Sequence, residues 1–411
     1  MTTDRGILAR IVGEPHGGRF ASLEGYRAIA ALSVVLYHTR GNLSPLGIGS
    51  PIDVIENLGN FGVAVFFLLS GFLLYLPVTR RLFTHQSQAP VGQFLLRRFV
   101  RIFPAYWLAL VAWAAIITRP NKELVTPWKV FLLFDGGINT LAVAWTLVIE
   151  LWFYVAIALL SVVLPRIFRR CHTSSALLRA QFAMLGLMVI VAYVYRVYAT
   201  QDLQTMVHRV NWIFAYLDWF AFGMAMAILV AWTEVGGQLP ASLRGLVDRE
   251  WSCYLLSALC YGAVLYVIRV YSIGESRETR LVYLVHQAIQ PMAAFWLLVP
   301  ATLGNSDQRV QRLLRRPTLA ALGTISYGIY LWHTLVIRLL KRNPVIAIDG
   351  WNPTLQLVVN LSIVVGIAVV IATLSYRLVE RPALTFVPST FEGLVSGSSR
   401  PSAAPPQVVG G

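Results

Sequence analysis

The sequence predicts an all-α integral membrane protein: a polytopic bundle of about ten transmembrane helices with both termini in the cytoplasm. Three observations predict it. Of 411 residues, 57% are hydrophobic and only 13% charged, against about 45–50% and about 25% in soluble domains, and the mean hydropathy is +0.64. Twelve Trp and 17 Tyr suit aromatic belts at membrane interfaces. Apolar runs near the ~20 residues that cross a bilayer recur along the chain, broken by Pro- and Gly-containing loops.

The spans are placed at 22–39, 60–78, 101–118, 142–164, 180–198, 212–232, 252–271, 281–303, 320–340 and 355–379. Residues 1–20 are polar, with Arg5, Arg10 and Arg19, and read as a cytoplasmic tail. The first apolar run, from near Ala28, lacks a small-residue cleavage site and reads as a retained helix rather than a signal peptide. Residues 21–385 then form the transmembrane domain. Residues 386–411, rich in Ser, Pro and Gly, read as a disordered tail. A cytoplasmic N-terminus puts Arg80, Arg81, Arg97, Arg98, Arg166, Arg169, Arg170, Arg179, Arg309, Arg312, Arg315 and Arg316 in or beside inner loops, as the positive-inside rule requires. The chain is expected in the plasma (inner) membrane.

That rule also accounts for the net charge of +15. No basic soluble module is left over for nucleic acid. Cys171, Cys253 and Cys260 form neither a CxxC nor an even set, so no disulfide framework is expected. There is no HExxH, no Cys/His cluster, no Walker A sequence and no GxGxxG, so neither a metal nor a nucleotide fingerprint is present. An inverted-repeat pattern is also missing.

Ionisable residues inside the membrane are costly and are functional candidates. The first span, LEGYRAIAALSVVLYHT, carries Arg27 and His38, eleven residues and about 16 Å apart along a helix. The plain structural reading has Arg27 snorkelling to the inner interface and His38 wet at the outer end. In NFGVAVFFLLSGFLL, Ser70 and Gly71 allow close helix approach. A Ser70 nucleophile is the sharper reading, but Gly-x-Ser-x-Gly is absent. FLLRRFVRIFPAYW sets Arg98 and Arg101 three apart on one helix face. Such a pair clamps phosphates with bidentate hydrogen bonds, or serves only as a topology signal. Glu150, within AWTLVIELWFY, needs a partner in its apolar surroundings: an intramembrane Arg, or His38, which it would orient. LGTISYGIYLWHTLV puts Tyr330 and His333 three apart on one face, as belt residues or as site residues. Arg377, Glu380 and Arg381 in SYRLVERP suit a cytoplasmic helix end that Pro382 stops.

Taken in order, Arg27 with His38, FFLLSGFL, Arg98-x-x-Arg101 leading into PAYW, WTLVIE and SYGIYLWH resemble the membrane-bound acyltransferase 3 family, which modifies surface polysaccharides, lipids and glycolipids. The resemblance covers about residues 20–385. It implies that Arg27, His38, Arg98 and Arg101 are essential and that the paired arginines receive the donor, usually acetyl-CoA, from the cytoplasmic side. Glu24 stands where Asp is usual. Leu151 and Trp152 replace the frequent Glu and Gln after Glu150.

The expected function is therefore an O-acyltransferase. It would move an acyl group, with acetyl as the family default, from acyl-CoA to a hydroxyl of a membrane-associated sugar or glycolipid. His38 would be the general base, Glu150 its orienter or charge balance, and Arg27 would hold the donor or polarise the thioester. Arg98 and Arg101 would hold the CoA phosphates, with Ser70, Tyr330 and His333 as further candidates. No metal is called for. Direct transfer and an acyl-enzyme on a His, Tyr or Ser both remain open. The alternative is a transporter or flippase of a lipid-linked or polyol substrate, with the same charges as substrate or proton sites.

Overall fold

The computed structural model describes residues 20–43, 58–117, 131–133, 143–202, 206, 209–271, 276–305, 307–342 and 352–385. The expected tails, 1–19 and 386–411, lie outside them. Among the described residues every regular element is helical. In chain order they are α1 (Ser22–Leu43), α2 (Leu58–Phe83), α3 (Val91–Ile117), α4 (Ala144–Ile167), α5 (Ser174–Ala199), α6 (Leu217–Glu234), α7 (Ala241–Asp248), α8 (Glu250–Tyr271), α9 (Ser276–Thr302), α10 (Arg309–Leu314), α11 (Pro317–Thr324), α12 (Ser326–Arg342), α13 (Pro353–Ser375) and α14 (Arg381–Thr385). A short 3-10 turn, Ile213–Tyr216, leads into α6, and a π turn, Tyr376–Glu380, joins α13 to α14.

Each apolar segment of the sequence falls on a helix. Among the described residues eight helices are long and apolar enough to cross a membrane, or nine if α11 and α12 form one span bent by 68°. The first helix has the length, 22 residues, but its Glu24, Arg27, His38 and Arg40 keep it below that hydropathy. Two boundaries differ instructively from the sequence reading. The third span begins at Val91, so Arg97, Arg98 and Arg101 lie within α3 and not ahead of it. The segment read as 320–340 is two helices: the break after Thr324 turns Ser326–His333 back into the bundle.

The centre of the fold is the crossing of α2 and α6. Gly71 faces the Phe220 carbonyl and Gly223 faces the Leu68 carbonyl so closely that a methyl group on either would overlap the facing backbone. Small residues at such crossings let helices pack without a hydrophobic driving force. Phe220 stacks on Phe153 of α4 at 3.8 Å and on Phe67 at 4.8 Å. A second apolar cluster joins α1 to α11, α12 and α13 through Ala31, Val35, Ala321, Ile329, Val336 and Val364. The first helix is thus held between α2 on one flank and α11–α13 on the other. The outer faces of α5 and α8 bare Leu187, Ile190, Val194, Leu255, Leu259 and Tyr266, the composition of a lipid-facing surface.

Candidate functional site

One end of the site is built on α1 and α3. The Arg98 guanidinium lies near two rings, 5.6 Å from the centroid of Phe94 and 5.7 Å from that of Tyr154. Arg101, Glu150 and Arg27 are the charges that act on it, so α3, α4 and α1 converge here. Arg27 Nη1 meets Glu24 Oε1 at 3.3 Å, one turn earlier on α1. Arg98 Nε and Arg97 Nη2 are buried without a hydrogen-bond partner among the described residues. Buried donors in native proteins are almost always satisfied.

Glu150 sits at the next level. Its Oε1 accepts from the Tyr154 hydroxyl at 2.6 Å and from the Ser70 hydroxyl at 3.1 Å. No hydrogen bond joins Glu150 to His38 among the described residues; the carboxylate belongs to the arginine end. The Ser70 hydroxyl is spent on Glu150, while the close helix approach falls to its neighbour Gly71.

The other end is built on α1, α4 and α12. The rings of His38 and His333 are 5.2 Å apart between centroids, and Tyr330 lies 5.9 Å from His333. The Tyr330 hydroxyl pairs with Thr146 Oγ1 at 2.7 Å and also donates to the Val143 carbonyl at 3.3 Å. Phe66 meets Tyr330 edge-on at 6.0 Å. His333 is fully buried. Its Nδ1 faces the Ile329 carbonyl at 3.3 Å, and its Nε2 has no partner among the described residues. His38 is half-buried.

The structure thus brings Arg27, Arg98 and Glu150 together, and His38, His333 and Tyr330 together, at two levels of one interior. Thr146 and Glu150, one turn apart on α4, connect them. Sequence reasoning passed over Tyr154 and Thr146, whose roles depend on which residues face them. It also read Glu380 as part of a helix end. In the π turn Glu380 is 5% exposed, accepts from Ser375 Oγ at 3.2 Å and lies within electrostatic reach of Arg101. An acidic residue five positions after a serine carries no signal of a π turn. Among the described residues no three His, Cys, Asp or Glu side chains gather as a metal site would.

The chain is similar to a protein named putative peptidoglycan O-acetyltransferase YrhL from Bacillus subtilis, 28% identical over 400 residues that cover 90% of this chain and 56% of that protein. It is similar to peptidoglycan O-acetyltransferase OatA of Listeria monocytogenes, 25% identical over 393 residues, 88% of this chain and 55% of that one. The chain therefore spans little more than half the length of these two relatives. The exopolysaccharide production protein ExoZ of Rhizobium meliloti is 28% identical over 343 residues, 80% of this chain and 90% of ExoZ. No solved structure matches. Residues 20–374 match a family described as an acyltransferase domain, a match that takes in every helix from α1 into α13. The chain is a multi-pass membrane protein and belongs to the acyltransferase 3 family.

Proposed function

We propose that the protein is an O-acetyltransferase that uses acyl-CoA and acylates a hydroxyl of a cell-envelope glycan. One observation carries the reading. At one end of α1 Arg27 lies near the Arg98 guanidinium of α3, whose Nε has no partner among the described residues, and at the other end His38 meets His333 of α12; Arg27 and His38 are about 16 Å apart by the rise of eleven residues. That separation suits a donor held by its phosphates at the arginine end, with its thioester extended toward the histidines. The names of the relatives support a glycan acceptor, either peptidoglycan or an exopolysaccharide. The arginine loops favour ten spans, with both termini and the arginine end facing the cytoplasm.

In this reading Arg98 and Arg101 hold the CoA phosphates and Arg27 approaches the thioester. His38 takes the proton of the acceptor hydroxyl while the oxygen attacks the thioester carbonyl. Collapse of the tetrahedral adduct breaks the carbon–sulfur bond, and the thiolate leaves and takes a proton. Glu150, fixed by Ser70 and Tyr154, balances the arginine charge and does not orient His38. Tyr330 and His333 wall the reaction end.

The test uses the full chain in nanodiscs, labelled acetyl-CoA, and envelope polysaccharide prepared from a strain lacking the protein. Label should pass to the polysaccharide with wild-type protein and not with His38→Ala. Wild-type protein that moves no label, or His38→Ala that moves it at the wild-type rate, removes the reading.

A further inference from the structure

A cavity on the opposite flank of α1 from Arg27 is lined by none of the residues given a role above. It holds about 240 Å3 and lies between the start of α1, the end of α9 and α10, with Ser22, Thr302, Asn305, Gln311 and Arg315 in its lining. Five residues at about 100° each set Ser22 about 140° round α1 from Arg27. Cavity and arginine cluster therefore share one end of the helix and look in different directions.

Its polar groups are held in place. Gln311 is 1% exposed. Its Nε2 donates to the Tyr254 hydroxyl at 2.9 Å and to that of Tyr26 at 3.3 Å, which fixes the orientation of the amide. Its Oε1 is left buried without a partner among the described residues, an unmet acceptor that calls for a donor. Arg315 stands at the rim with its side chain 30% exposed. Its Nε reaches the Gln311 carbonyl at 3.4 Å and its Nη2 reaches Asp307 Oδ1 at 3.7 Å, the outer edge of an ion pair. The Ser22 hydroxyl adds a further polar group at the start of α1, while that of Thr302 is turned back to the Leu298 and Val299 carbonyls at 3.2 Å. A guanidinium is the preferred partner of a phosphate, and a fixed amide oxygen beside it accepts from a hydroxyl or amino group. The volume admits a sugar phosphate and is larger than a bare ion needs.

We propose that this cavity binds a phosphate ester with a neighbouring hydroxyl, the phosphate on Arg315 and the hydroxyl on Gln311 Oε1. Two molecules offer that chemistry: the ribose 3′-phosphate end of an acyl-CoA donor, with its pyrophosphate on Arg98 and Arg101, and the glycerophosphate headgroup of an anionic lipid. The first rests on the acyl-CoA reading and the second does not.

The experiment uses the full chain in phosphatidylcholine nanodiscs. One arm titrates 3′-phosphoadenosine 5′-phosphate by calorimetry. The other adds phosphatidylglycerol to the nanodiscs and counts retained lipid by native mass spectrometry. One probe should bind, and Arg315→Gln should weaken it tenfold or more while Arg312→Gln leaves it unchanged. Gln311→Leu should do the same; because it also disturbs Tyr26 and Tyr254, its thermal melting is recorded beside it, and rim residue Arg315 carries the test if it melts early. Binding of neither probe overturns the proposal. So does binding that Arg315→Gln leaves intact, or that Arg312→Gln weakens equally. Nucleotide binding that needs Arg315 in a protein that never acetylates polysaccharide keeps the cavity and removes the acyl-transfer reading.

Discussion

The imidazole rings of His38 and His333, contributed by helices almost 300 positions apart in the sequence, lie 5.2 Å apart. The His333 ring is fully buried, and its Nε2 has no partner among the described residues. In the proposed reaction the two rings act together. Replacing His38 with Ala should lower kcat by about 10²–10⁴, the usual cost of losing a general base. Replacing His333 with Ala should also lower kcat. Groups that act together are not additive, so the double variant should lose far less than the product of the single losses. Turnover of labelled acetyl by the three variants measures this. Strictly multiplicative losses would show that the two rings act separately.

The Arg98 guanidinium has two aromatic neighbours within cation–π range, Phe94 at 5.6 Å and Tyr154 at 5.7 Å. Lysine keeps the charge but loses the planar fork. Arg98→Lys should therefore raise KM for the donor about tenfold, equal to about 1.4 kcal/mol, while kcat for the bound donor changes little. Donor titration at saturating acceptor decides it. An unchanged KM would take Arg98 out of donor binding.

Glu150 accepts two hydroxyl hydrogen bonds on one oxygen, from Tyr154 at 2.6 Å and from Ser70 at 3.1 Å. Tyr154→Phe removes the shorter bond and leaves Glu150 less satisfied, at a cost of about 1–3 kcal/mol. Ser70→Ala should cost less. Thermal melting in detergent should fall in that order, and activity should fall with Tyr154→Phe because the carboxylate facing Arg98 loses its fixed orientation. A Tyr154→Phe protein with wild-type melting and turnover would show the bond to be idle.

The sequence reveals more of the fold than of the site. The apolar runs fall on helices because backbone in a bilayer must satisfy its own hydrogen bonds, yet eight helices, or nine with the bent pair, pass as spans by length and hydropathy among the described residues. The arginine and histidine candidates stand out because charge in such runs is expensive. What could not be read is which charges face which. Glu150 lies in the middle of an apolar run, which shows that it needs a partner. That the partners are Tyr154 and Ser70, and not His38, depends on the rotation of α4 against α2. The break after Thr324 has no proline, yet it sets the angle at which His333 meets His38. Glu380 depends on a π turn, and the pairing of Arg196 with Asp218 depends on the packing of α5 on α6.

That last pair makes the sharpest stability prediction. Arg196 and Asp218 are 0% and 1% exposed. Arg196 Nη1 donates to Asp218 Oδ2 at 2.8 Å, Nη2 donates to Oδ1, and Nε donates to the Ala215 carbonyl at 2.7 Å. The fork ties α5 to the 3-10 turn and to the first turn of α6. Asp218→Asn leaves a guanidinium buried without its counter-charge. Such a break typically costs about 3–5 kcal/mol, whereas replacing both partners with apolar groups of similar volume is often neutral. Asp218→Asn and Arg196→Met should each lower the melting temperature markedly. The Arg196→Met, Asp218→Leu double variant should recover most of that loss and keep its activity, because neither residue touches the reaction end. If the double variant is stable but inactive, the pair shapes the site as well as the fold. If it melts no higher than the singles, the fork contributes packing that apolar side chains do not replace.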